Sequence, residues 1–392
     1  MTKKSRFLDD KTRVTTLGRD PHANFGAVNP PVYHASTLLY PNFADLEAGR
    51  YPASPYGRMG TPGTFALEEA LCELEGAHGC RLTPSGQSAV TTALFAFLKP
   101  GDHLLMVDSV YEPVRMYCDR VLSKRGIDIT YYDPILGADI AELFTDKTAV
   151  VFCESPGSLT FEIQDVPAIS KVAHDRGALV LFDNTWGTPL HFKAFDHGVD
   201  ISIHALTKYV TGHADCMLGA INYTKAVAPN LEMTYRSMGL CAGPDDVYFG
   251  LRGLRTMAVR LKQHAATALE LSLWLRARPE VARVLNPALP DNPGHALWKR
   301  DFLGSNGLFG VELKSGTYEQ LEALFDTLEL FGMGFSWGGF ESLMVPSKLK
   351  NSRTATANLP TGPLLRIHAG LEAPADLIAD LTAGFDAFNA VG

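Results

Sequence analysis

The sequence predicts an α/β protein built on a mostly parallel sheet. In the middle of the 392-residue chain, short and continuous apolar runs alternate with amphipathic stretches of helical period. The predicted strands are His103–Val107, Ala149–Cys153, Ala178–Phe182 and Asp200–His204, and the predicted helices are Phe65–Leu74, Ser88–Leu98 and Pro167–Asp175. Short apolar runs that alternate with helices are typical of strands buried on both faces of a parallel sheet.

The chain divides into three predicted regions, which agrees with two or three domains at roughly 100–200 residues each. Residues 1–60 are rich in Pro, Asn and Tyr and show little helical period, which predicts an extended arm that contacts a neighbouring subunit. A long surface loop is the alternative. Residues 61–250 form the predicted sheet domain, and residues 251–392 form a smaller C-terminal α/β domain. The elements predicted in that last region are a long helix, Leu254–Arg276, and two strands, Gly307–Leu313 and Leu364–His368.

The composition excludes several classes of function. The formal net charge is −8 and the sequence has no basic run with interleaved aromatic residues, so we expect neither a nucleic-acid nor an anionic-membrane partner. No segment reaches the ~18 consecutive apolar residues of a membrane span. The first ten residues lack the apolar stretch of a signal peptide, so we expect a cytoplasmic protein.

Cysteine and histidine do not indicate a disulfide framework or a metal site. The six cysteines are scattered without C-x-x-C spacing, and in a chain of this length they are expected to be reduced and mostly buried. The histidines form no H-E-x-x-H motif, and His204 and His213 are too far apart for adjacent turns of one helix. We therefore expect no metal cofactor.

Four successive predicted strands are followed by residues that can do chemistry. These residues are Asp108 and Tyr111 after the first strand, Glu154 after the second, Asp183 after the third and Lys208 after the fourth. Ligands of open α/β sheets bind outside the carboxyl ends of the strands. Four such ends together predict a site at this edge of the sheet.

Asp183 and Lys208 fit the demands of pyridoxal 5′-phosphate (PLP). This cofactor needs a lysine for its Schiff base and a carboxylate that keeps its ring nitrogen protonated, since the protonated ring accepts the electrons of a carbanion. Alone, Asp183 could be a helix N-cap and Lys208 a surface lysine. Their positions at adjacent strand ends favour the cofactor interpretation.

A cradle for the cofactor phosphate is predicted between Thr83 and Leu94. Small residues stand directly before a helix here, so the backbone N–H groups of Gly86 and Gln87 would face an anion, assisted by the helix dipole. An ordinary Ser-Gly helix cap is the alternative. The segment is neither a Walker loop nor a G-x-S-x-G elbow, and the chain contains no G-x-G-x-x-G, which disfavours nucleotide hydrolysis, serine hydrolysis and dinucleotide binding.

Taken in order, the motifs of the chain resemble those of the Cys/Met-metabolism PLP-dependent enzymes from about Asn29 to Asp386. The matching motifs are Tyr56-Gly-Arg58-x-Gly-Thr, Glu73-Leu-Glu-Gly, Glu154-Ser-Pro-Gly-Ser, Asp183-Asn-Thr-Trp, Thr207-Lys208-Tyr-x-x-Gly-His, Leu251-Arg-Gly-Leu-Arg-Thr, Ser336-Trp-Gly-Gly-x-Glu-Ser and Leu365-Arg366-Ile-His-x-Gly-Leu-Glu.

The resemblance implies a role for each candidate site residue. Lys208 would form the Schiff base and later move protons, Asp183 would pair with the pyridine nitrogen, and Tyr111 would stack on the ring. The phosphate would be held by Gly86, Gln87 and Thr207 of one subunit and by Tyr56 and Arg58 of a neighbour. Arg366 would bind the substrate α-carboxylate as a bidentate fork, with Ser336 and Trp337 beside it.

The resemblance also implies the fold and the assembly. The fold would be that of aspartate aminotransferase, fold type I, with a seven-stranded sheet domain and a smaller C-terminal domain. The protein would be a homotetramer made of dimers with shared active sites. One departure concerns Ala205, because many members carry a hydroxyl residue at that position and could donate one more hydrogen bond to the phosphate. His204 beside it is expected to be a packing or surface histidine.

The activity implied by the resemblance is that of a carbon–sulfur lyase. It would eliminate the β-substituent of a small sulfur amino acid and give pyruvate and ammonia. γ-Elimination, γ-replacement and cleavage of a cysteine S-conjugate are alternatives within the family, since pocket shape sets the choice of leaving group. A PLP-binding regulator without catalysis is a further alternative, which intact Lys208, Asp183 and Arg366 disfavour.

Overall fold

The computed structural model describes residues 8–51, 53–349, 352–357 and 359–391. It contains a seven-stranded sheet and a four-stranded sheet, each in its own part of the chain. The strands of the first sheet are β1 (Gly79–Thr83), β2 (His103–Val107), β3 (Asp128–Tyr132), β4 (Thr148–Glu154), β5 (Leu179–Asp183), β6 (Ile201–His204) and β7 (Gly219–Tyr223). The strands of the second are β8 (Val281–Leu285), β9 (Leu308–Leu313), β10 (Leu343–Ser347) and β11 (Leu364–His368).

The first sheet has the order β1-β7-β6-β5-β4-β2-β3. Strands β2 to β6 pair in parallel, and only β7 runs against its neighbours β1 and β6. The four strands predicted from apolar runs are present within one residue of their predicted ends. The prediction of a mostly parallel seven-stranded sheet with a smaller C-terminal α/β part is therefore confirmed.

Thirteen α-helices are found in the described residues. They are α1 (Asp10–Thr16), α2 (Phe43–Glu47), α3 (Pro62–Glu75), α4 (Gly86–Phe97), α5 (Glu112–Tyr117), α6 (Val166–Asp175), α7 (Thr188–His191), α8 (Ala228–Ser237), α9 (Pro244–Leu254), α10 (Met257–Arg276), α11 (His295–Asp301), α12 (Tyr318–Thr327) and α13 (Pro374–Val391). None of them is long and apolar enough to cross a membrane.

Apolar clusters cover both faces of the first sheet. Successive residues of a strand point to opposite faces, so the neighbours Ala220 and Ile221 of β7 show which cluster lies on which side. Ile221 belongs to the cluster with α4 and α6, whereas Ala220 belongs to the cluster with α3, α9 and α10. Burial on both faces explains the continuous apolar runs in the sequence.

The helix predicted over Leu254–Arg276 is interrupted in the structure, so its predicted start is wrong. Helix α9 ends at Leu254 and α10 begins at Met257. Between them, Arg255 donates Nη1 to the carbonyl of Val14 at 3.1 Å and Nη2 to the carbonyl of Gly18 at 3.3 Å. These contacts with the end of α1 lie more than 230 residues away in sequence, and no local pattern reports them.

The second sheet is entirely antiparallel, with the order β10-β11-β9-β8. Its apolar cluster includes Phe309 on β9, Leu365 on β11 and residues of α10, α12 and α13. Alternate residues of β11 therefore face this cluster, and Arg366 and His368 lie together on the opposite face of the strand.

The N-terminal arm is less extended than the sequence predicts. It contains α1 and α2, and α1 is docked on the sheet domain with Val14 fully buried. Asp10 accepts from Nζ of Lys193 at 2.6 Å, and Nη2 of Arg13 donates to the carbonyl of Glu73. Helix α1 is short, so these tertiary contacts stabilise it where its own sequence period is weak.

Asp108, directly after β2, fastens the segment 352–357 to the first sheet. Its fully buried carboxylate accepts from Nη1 of Arg115 at 2.8 Å, from the backbone N–H of Thr354 at 2.9 Å and from both the N–H and the hydroxyl of Thr356. Burial alone would raise the pKa of Asp108, but these hydrogen bonds hold it well below its ordinary value.

The six cysteines, all within the described residues, form no disulfide with one another, and most are buried, as the sequence predicts. Four are buried, Cys72 is half-buried, and Cys241 in the loop after α8 is exposed. Burial raises the pKa of the thiols of Cys72, Cys118, Cys153 and Cys216 to about 11 or 12.

We predict that Asp108→Asn lowers the free energy of unfolding by about 3–5 kcal/mol, because it leaves Arg115 buried without its carboxylate. The ionised carboxylate contributes stability above its unfolded pKa of about 3.9 and loses it as pH falls, so the variant should also show a shallower acid transition. Urea titrations at several pH values measure both effects. Asp119→Asn is the control, since Asp119 lies 3.9 Å from the same guanidinium but is 51% exposed. Equal stability losses for the two variants would contradict the prediction.

Candidate active site

The carboxyl ends of the parallel strands form one edge of the first sheet. Glu154 at the end of β4 and Asp183 at the end of β5 are direct partners in the strand register. Residues on neighbouring strands that are in register point to the same side of the sheet, so the two carboxylates are close. Lys208 follows β6 by a short turn on the same edge.

Lys208 lies between the two sheets. Its Nζ donates to Oγ of Ser336 at 2.7 Å and lies 5.3 Å from the centre of the Trp337 ring. Burial and the nearby Arg366 guanidinium lower the pKa of Lys208 to about 8, although Asp183 opposes the shift. An amine with this pKa is partly neutral near physiological pH and can act as a nucleophile or as a base.

Asp183 is a carboxylate in an environment that disfavours its charge. Burial raises its pKa, and hydrogen bonding to Thr185 together with the charges of His204 and Lys208 only partly offsets this. Its Oδ1 accepts from the backbone N–H of Thr185 at 3.0 Å. Such a carboxylate is stabilised by a cationic N–H donor, and a protonated pyridine ring is a donor of this kind.

Next to Asp183 lies a buried polar cluster of His204, Glu75 and Asn184, which the sequence did not predict as a cluster. Nε2 of His204 lies 2.6 Å from Oε1 of Glu75, which also accepts from Nδ2 of Asn184 at 3.0 Å. His204 is buried, which agrees with the expected packing histidine, and Glu75 belongs to the Glu73-Leu-Glu-Gly motif. The motif includes Glu75, but nothing local in the sequence connects α3 with the end of β6.

Tyr111 is held over the same edge by Glu154. The backbone N–H of Tyr111 donates to Oε2 of Glu154 at 2.8 Å, at the start of α5. Burial and the Glu154 charge raise the pKa of Tyr111, and Arg366 opposes them. Glu154 therefore belongs to the cluster, and the sequence indicated it as a polar strand end and as the start of the Glu154-Ser-Pro-Gly-Ser motif.

Arg366 enters the cluster from the second sheet. Its Nη2 donates to the carbonyl of Ser336 at 3.0 Å and to that of Gly334 at 3.3 Å. Ser336 has a φ of 82°, a left-handed conformation that costs a non-glycine residue about 1 kcal/mol or more. The strained serine thus contacts Lys208 through its hydroxyl and Arg366 through its carbonyl.

The predicted phosphate cradle is a tight junction between the start of α4 and the turn after β6. Ser85 caps α4 by accepting from the N–H of Ser88, and the N–H groups of Gly86 and Gln87 have no acceptor within the described part of the chain. A Cβ on Gly86 would lie 2.5 Å from Cβ of Ala205, so only glycine fits there. The two free N–H groups can hold an anion.

Thr207 is engaged by its own loop. Its hydroxyl donates to the carbonyl of Leu218 at 3.1 Å and accepts from the N–H of Leu218 at 3.0 Å. These two bonds occupy the hydroxyl hydrogen and one lone pair, which leaves one lone pair and no donor. A phosphate contact by this hydroxyl would require the bond to Leu218 to break.

Tyr56 and Arg58 stand apart from this cluster. Both side chains are exposed, and Nη1 of Arg58 donates to the carbonyl of Arg236 on α8 at 3.4 Å. The structure therefore brings together Lys208, Asp183 and Tyr111 within one chain, together with the residues of the second sheet, and leaves the two arm residues outside. Within the described residues, no three His, Cys, Asp or Glu side chains are close enough to hold a metal ion.

The family follows from comparison with known proteins. Residues 11–386 match the sequence profile of the Cys/Met metabolism PLP-dependent enzymes. The chain belongs to this family. The match extends from α1 to α13, so both sheets and the cluster between them are included. The predictions of a PLP-dependent enzyme and of its fold are confirmed.

Three relatives show the range of the family. A protein of Salmonella typhimurium named cystathionine beta-lyase is 43% identical over 386 residues, with 95% of this chain and 97% of the relative covered. A Wolbachia pipientis protein named L-alanine/L-glutamate racemase is 38% identical, with 96% of each chain covered. The crystal structure of cystathionine gamma synthase from Xanthomonas oryzae pv. oryzae, in complex with aminoacrylate and cysteine, has a TM-score of 0.91 at 31% identity, and covers 98% of this chain and 100% of that chain.

Side chains and backbone N–H groups of this PLP-dependent enzyme fit the cofactor. Asp183 offers a carboxylate to a cationic ring nitrogen, the N–H groups of Gly86 and Gln87 offer donors to a phosphate, and Lys208 offers an amine to an aldehyde. These groups lie at or shortly after the ends of β1, β5 and β6, at one edge of the sheet. PLP has a phosphate, a ring nitrogen and an aldehyde, and each needs one of these groups.

We predict that Gly86→Ala weakens PLP binding about tenfold or more, because the added methyl group would force α4 away from Ala205. The measurement is the dissociation constant of PLP, obtained by titrating the cofactor-depleted protein. Gly63→Ala is the matched control, since a Cβ on Gly63 would meet its nearest neighbour at an ordinary 3.8 Å. Unchanged affinity in a folded Gly86→Ala protein would show that the cradle lies elsewhere.

Proposed function

We propose that the protein catalyses the β-elimination of L-cystathionine to homocysteine, pyruvate and ammonia. The observation that carries this proposal is the 43% identity over nearly the whole chain to a protein named cystathionine beta-lyase. The cluster of Lys208, Ser336 and Arg366 supports it, since it offers a base beside a carboxylate-binding cation.

The substrate is held by Arg366, with Ser336 and Trp337 beside it. A guanidinium presents two parallel N–H donors, and a carboxylate accepts both in one plane. Burial lowers the pKa of Arg366, so a carboxylate that neutralises its charge is bound in a site with little competing water. The α-carboxylate fixed in this way places the Cα–H bond near Nζ of Lys208.

Lys208 acts first as the residue that attaches the cofactor and then as the base. When bound, PLP supplies an electron sink that stabilises negative charge at the substrate Cα. Nζ of Lys208 removes the Cα proton, the electrons of that bond form a Cα–Cβ double bond, and the sulfur leaves with the Cβ–S electrons. The sulfur gains a proton to give homocysteine, and water converts the remaining three-carbon unit to pyruvate and ammonia.

Asp183 and Tyr111 complete the proposed site. Asp183 would keep the ring nitrogen of PLP protonated, and its contact with Thr185 fixes the orientation of the carboxylate. Tyr111 would stack on the ring, since Glu154 holds its backbone at the same edge of the sheet. Gly86 and Gln87 would donate their N–H groups to the phosphate, with Thr207 on the same side.

The alternatives are other reactions of the same cofactor. The cystathionine gamma synthase is 31% identical to this chain and points to a reaction at Cγ. The L-alanine/L-glutamate racemase is 38% identical and points to reprotonation of Cα. Both share the first proton transfer with the proposed reaction. γ-Chemistry then also removes a proton from Cβ before the γ-substituent leaves, whereas racemisation returns a proton to the opposite face of Cα. The products distinguish them.

The proposed assembly is a homotetramer of dimers, in which Tyr56 and Arg58 reach the phosphate site of a neighbouring chain. Large apolar side chains of the arm support this proposal, because Leu39 is 83% exposed and Phe43 is 73% exposed. Monomeric proteins rarely expose such residues in a group. The cytoplasmic location and the domain limits at 60 and 250 stay predictions.

We predict that the purified enzyme converts L-cystathionine into equal amounts of pyruvate and homocysteine. Lys208→Ala should remove this activity while the melting temperature stays close to that of the wild type, and Lys171→Ala, which alters a 75% exposed lysine, should leave it unchanged. A coupled pyruvate assay and thiol quantification measure the products. 2-Oxobutyrate with cysteine would instead establish γ-elimination, and D-amino acids from L-alanine would establish racemisation.

We predict that mixed subunits regain activity. Arg58→Ala and Lys208→Ala proteins, each impaired alone, are combined, gently unfolded and reassembled. One site of a hybrid dimer then has an intact Lys208 from one chain and an intact Arg58 from the other, so activity should exceed the sum of the parents. The measurement requires a strongly impaired Arg58→Ala parent and a size determination. Reassembled tetramers without activity would place Arg58 in the site of its own chain.

A further inference from the structure

His368 lies two residues after Arg366 on the same face of β11, and both side chains reach the segment 334–339. The backbone N–H of Gly338 donates to Nε2 of His368 at 3.0 Å. Nδ1 of the same ring lies 3.1 Å from the carbonyl oxygen of Glu341. Because Nε2 accepts, the ring is neutral and Nδ1 carries the proton, so one imidazole holds both ends of the Gly338–Glu341 turn.

Gly338 is pressed against the backbone of Lys208. Its φ is 84°, and a Cβ on this residue would lie 2.9 Å from the carbonyl carbon of Lys208 and 2.9 Å from the nitrogen of Tyr209. The imidazole bond to Gly338 therefore sets how closely the turn approaches the lysine. Two residues earlier, Ser336 contacts Nζ of the same lysine.

The surroundings keep the imidazole neutral and fixed. His368 is 1% exposed, and the rings of His264 and Tyr209 lie 5.2 Å and 6.0 Å from it, centre to centre. Burial and the charges of its neighbours, among them Arg366 and Lys208, lower its pKa to about 3. Tyr209 is fixed in turn, since its hydroxyl accepts from the N–H of Gly307 at 3.0 Å.

We propose that His368 is a positioning residue, which holds the turn at Gly338 against Lys208 and thereby places Ser336 between Lys208 and Arg366. It touches neither cofactor nor substrate and acts through the backbone of the turn. Loss of the bond to Gly338 lets the strained backbone of Ser336 relax. The guanidinium of Arg366 is then no longer held at a fixed distance from Nζ of Lys208. This inference rests on the proposed roles of Lys208 and Arg366, but not on which bond of the substrate breaks.

Two substitutions of His368 distinguish the effect of its hydrogen bond to Gly338 from the other effects of losing the imidazole ring. In His368→Gln, the amide oxygen can occupy the position of Nε2 and accept from Gly338. In His368→Asn, the shorter amide can replace only the Nδ1 contact with Glu341. His264→Asn is the control, because His264 lies in the same buried cluster but bonds to the carbonyl of Ala369 at 2.8 Å and not to the turn.

Two measurements on the holoenzyme decide the matter. The affinity for glycine, an amino acid without a leaving group, is read from the visible absorbance of the bound cofactor and reports carboxylate binding whichever products the enzyme forms. We expect His368→Asn to weaken glycine binding about five- to tenfold, as one lost hydrogen bond allows. His368→Gln should stay within about twofold of the wild type, and His264→Asn should bind glycine normally despite a lowered melting temperature.

Hydrogen–deuterium exchange of a peptide spanning 334–342 is the second measurement and needs no ligand. This peptide should lose protection in His368→Asn, and retain it in His368→Gln and His264→Asn. The proposal is overturned if His368→Asn binds glycine as the wild type does, if Gln restores no more than Asn, or if His264→Asn weakens binding equally. Should His368→Asn not fold, a folded His368→Gln protein with an unprotected peptide would overturn it equally.

Discussion

The hydrogen bond between Nζ of Lys208 and Oγ of Ser336 is the contact that orders the site, because it links the cluster at the edge of the first sheet to the segment held by the second. Lys208 comes from the turn after β6, and Ser336 is held by Arg366 on β11. Neither sheet contains a site by itself, since Asp183 belongs to the first and Arg366 to the second. The hydrogen bonds from segment 352–357 to Asp108 are a further connection between the sheet edge and the C-terminal part.

The low polarity around Lys208 and Asp183 changes the pKa values of the ionisable groups in the site. Burial shifts each ionisable group towards its neutral form, so the pKa of Lys208 falls and that of Asp183 rises. The same burial would make isolated charges unstable, and two buried groups are matched by a partner from another element: Glu75 lies against His204, and Asp108 against Arg115. A buried charge without a partner costs free energy. We therefore expect the site to be better ordered when a ligand neutralises Asp183 and Arg366.

The sequence predicts what depends on local pattern and misses what depends on distant contacts. Buried strands appear as apolar runs, and their polar ends located Asp183 and Lys208 correctly at one edge of the sheet. The break between α9 and α10 was missed, because Arg255 at the break contacts α1, which is distant in sequence. The bond between His368 and Gly338 is equally invisible, since histidine in a strand looks the same whether it packs or holds a neighbouring turn.

The distribution of the thiols has a practical consequence for spectroscopy. Five of the six cysteines are shielded by packing or by a raised pKa, whereas Cys241 is open to solvent in the loop that follows α8. Thiolates are the species that alkylate, so a maleimide dye at neutral pH should attach at Cys241 with little competition. Since Arg58 lies against Arg236 near the end of α8, a dye at this position would report on the arm in the native sequence, without any engineered cysteine.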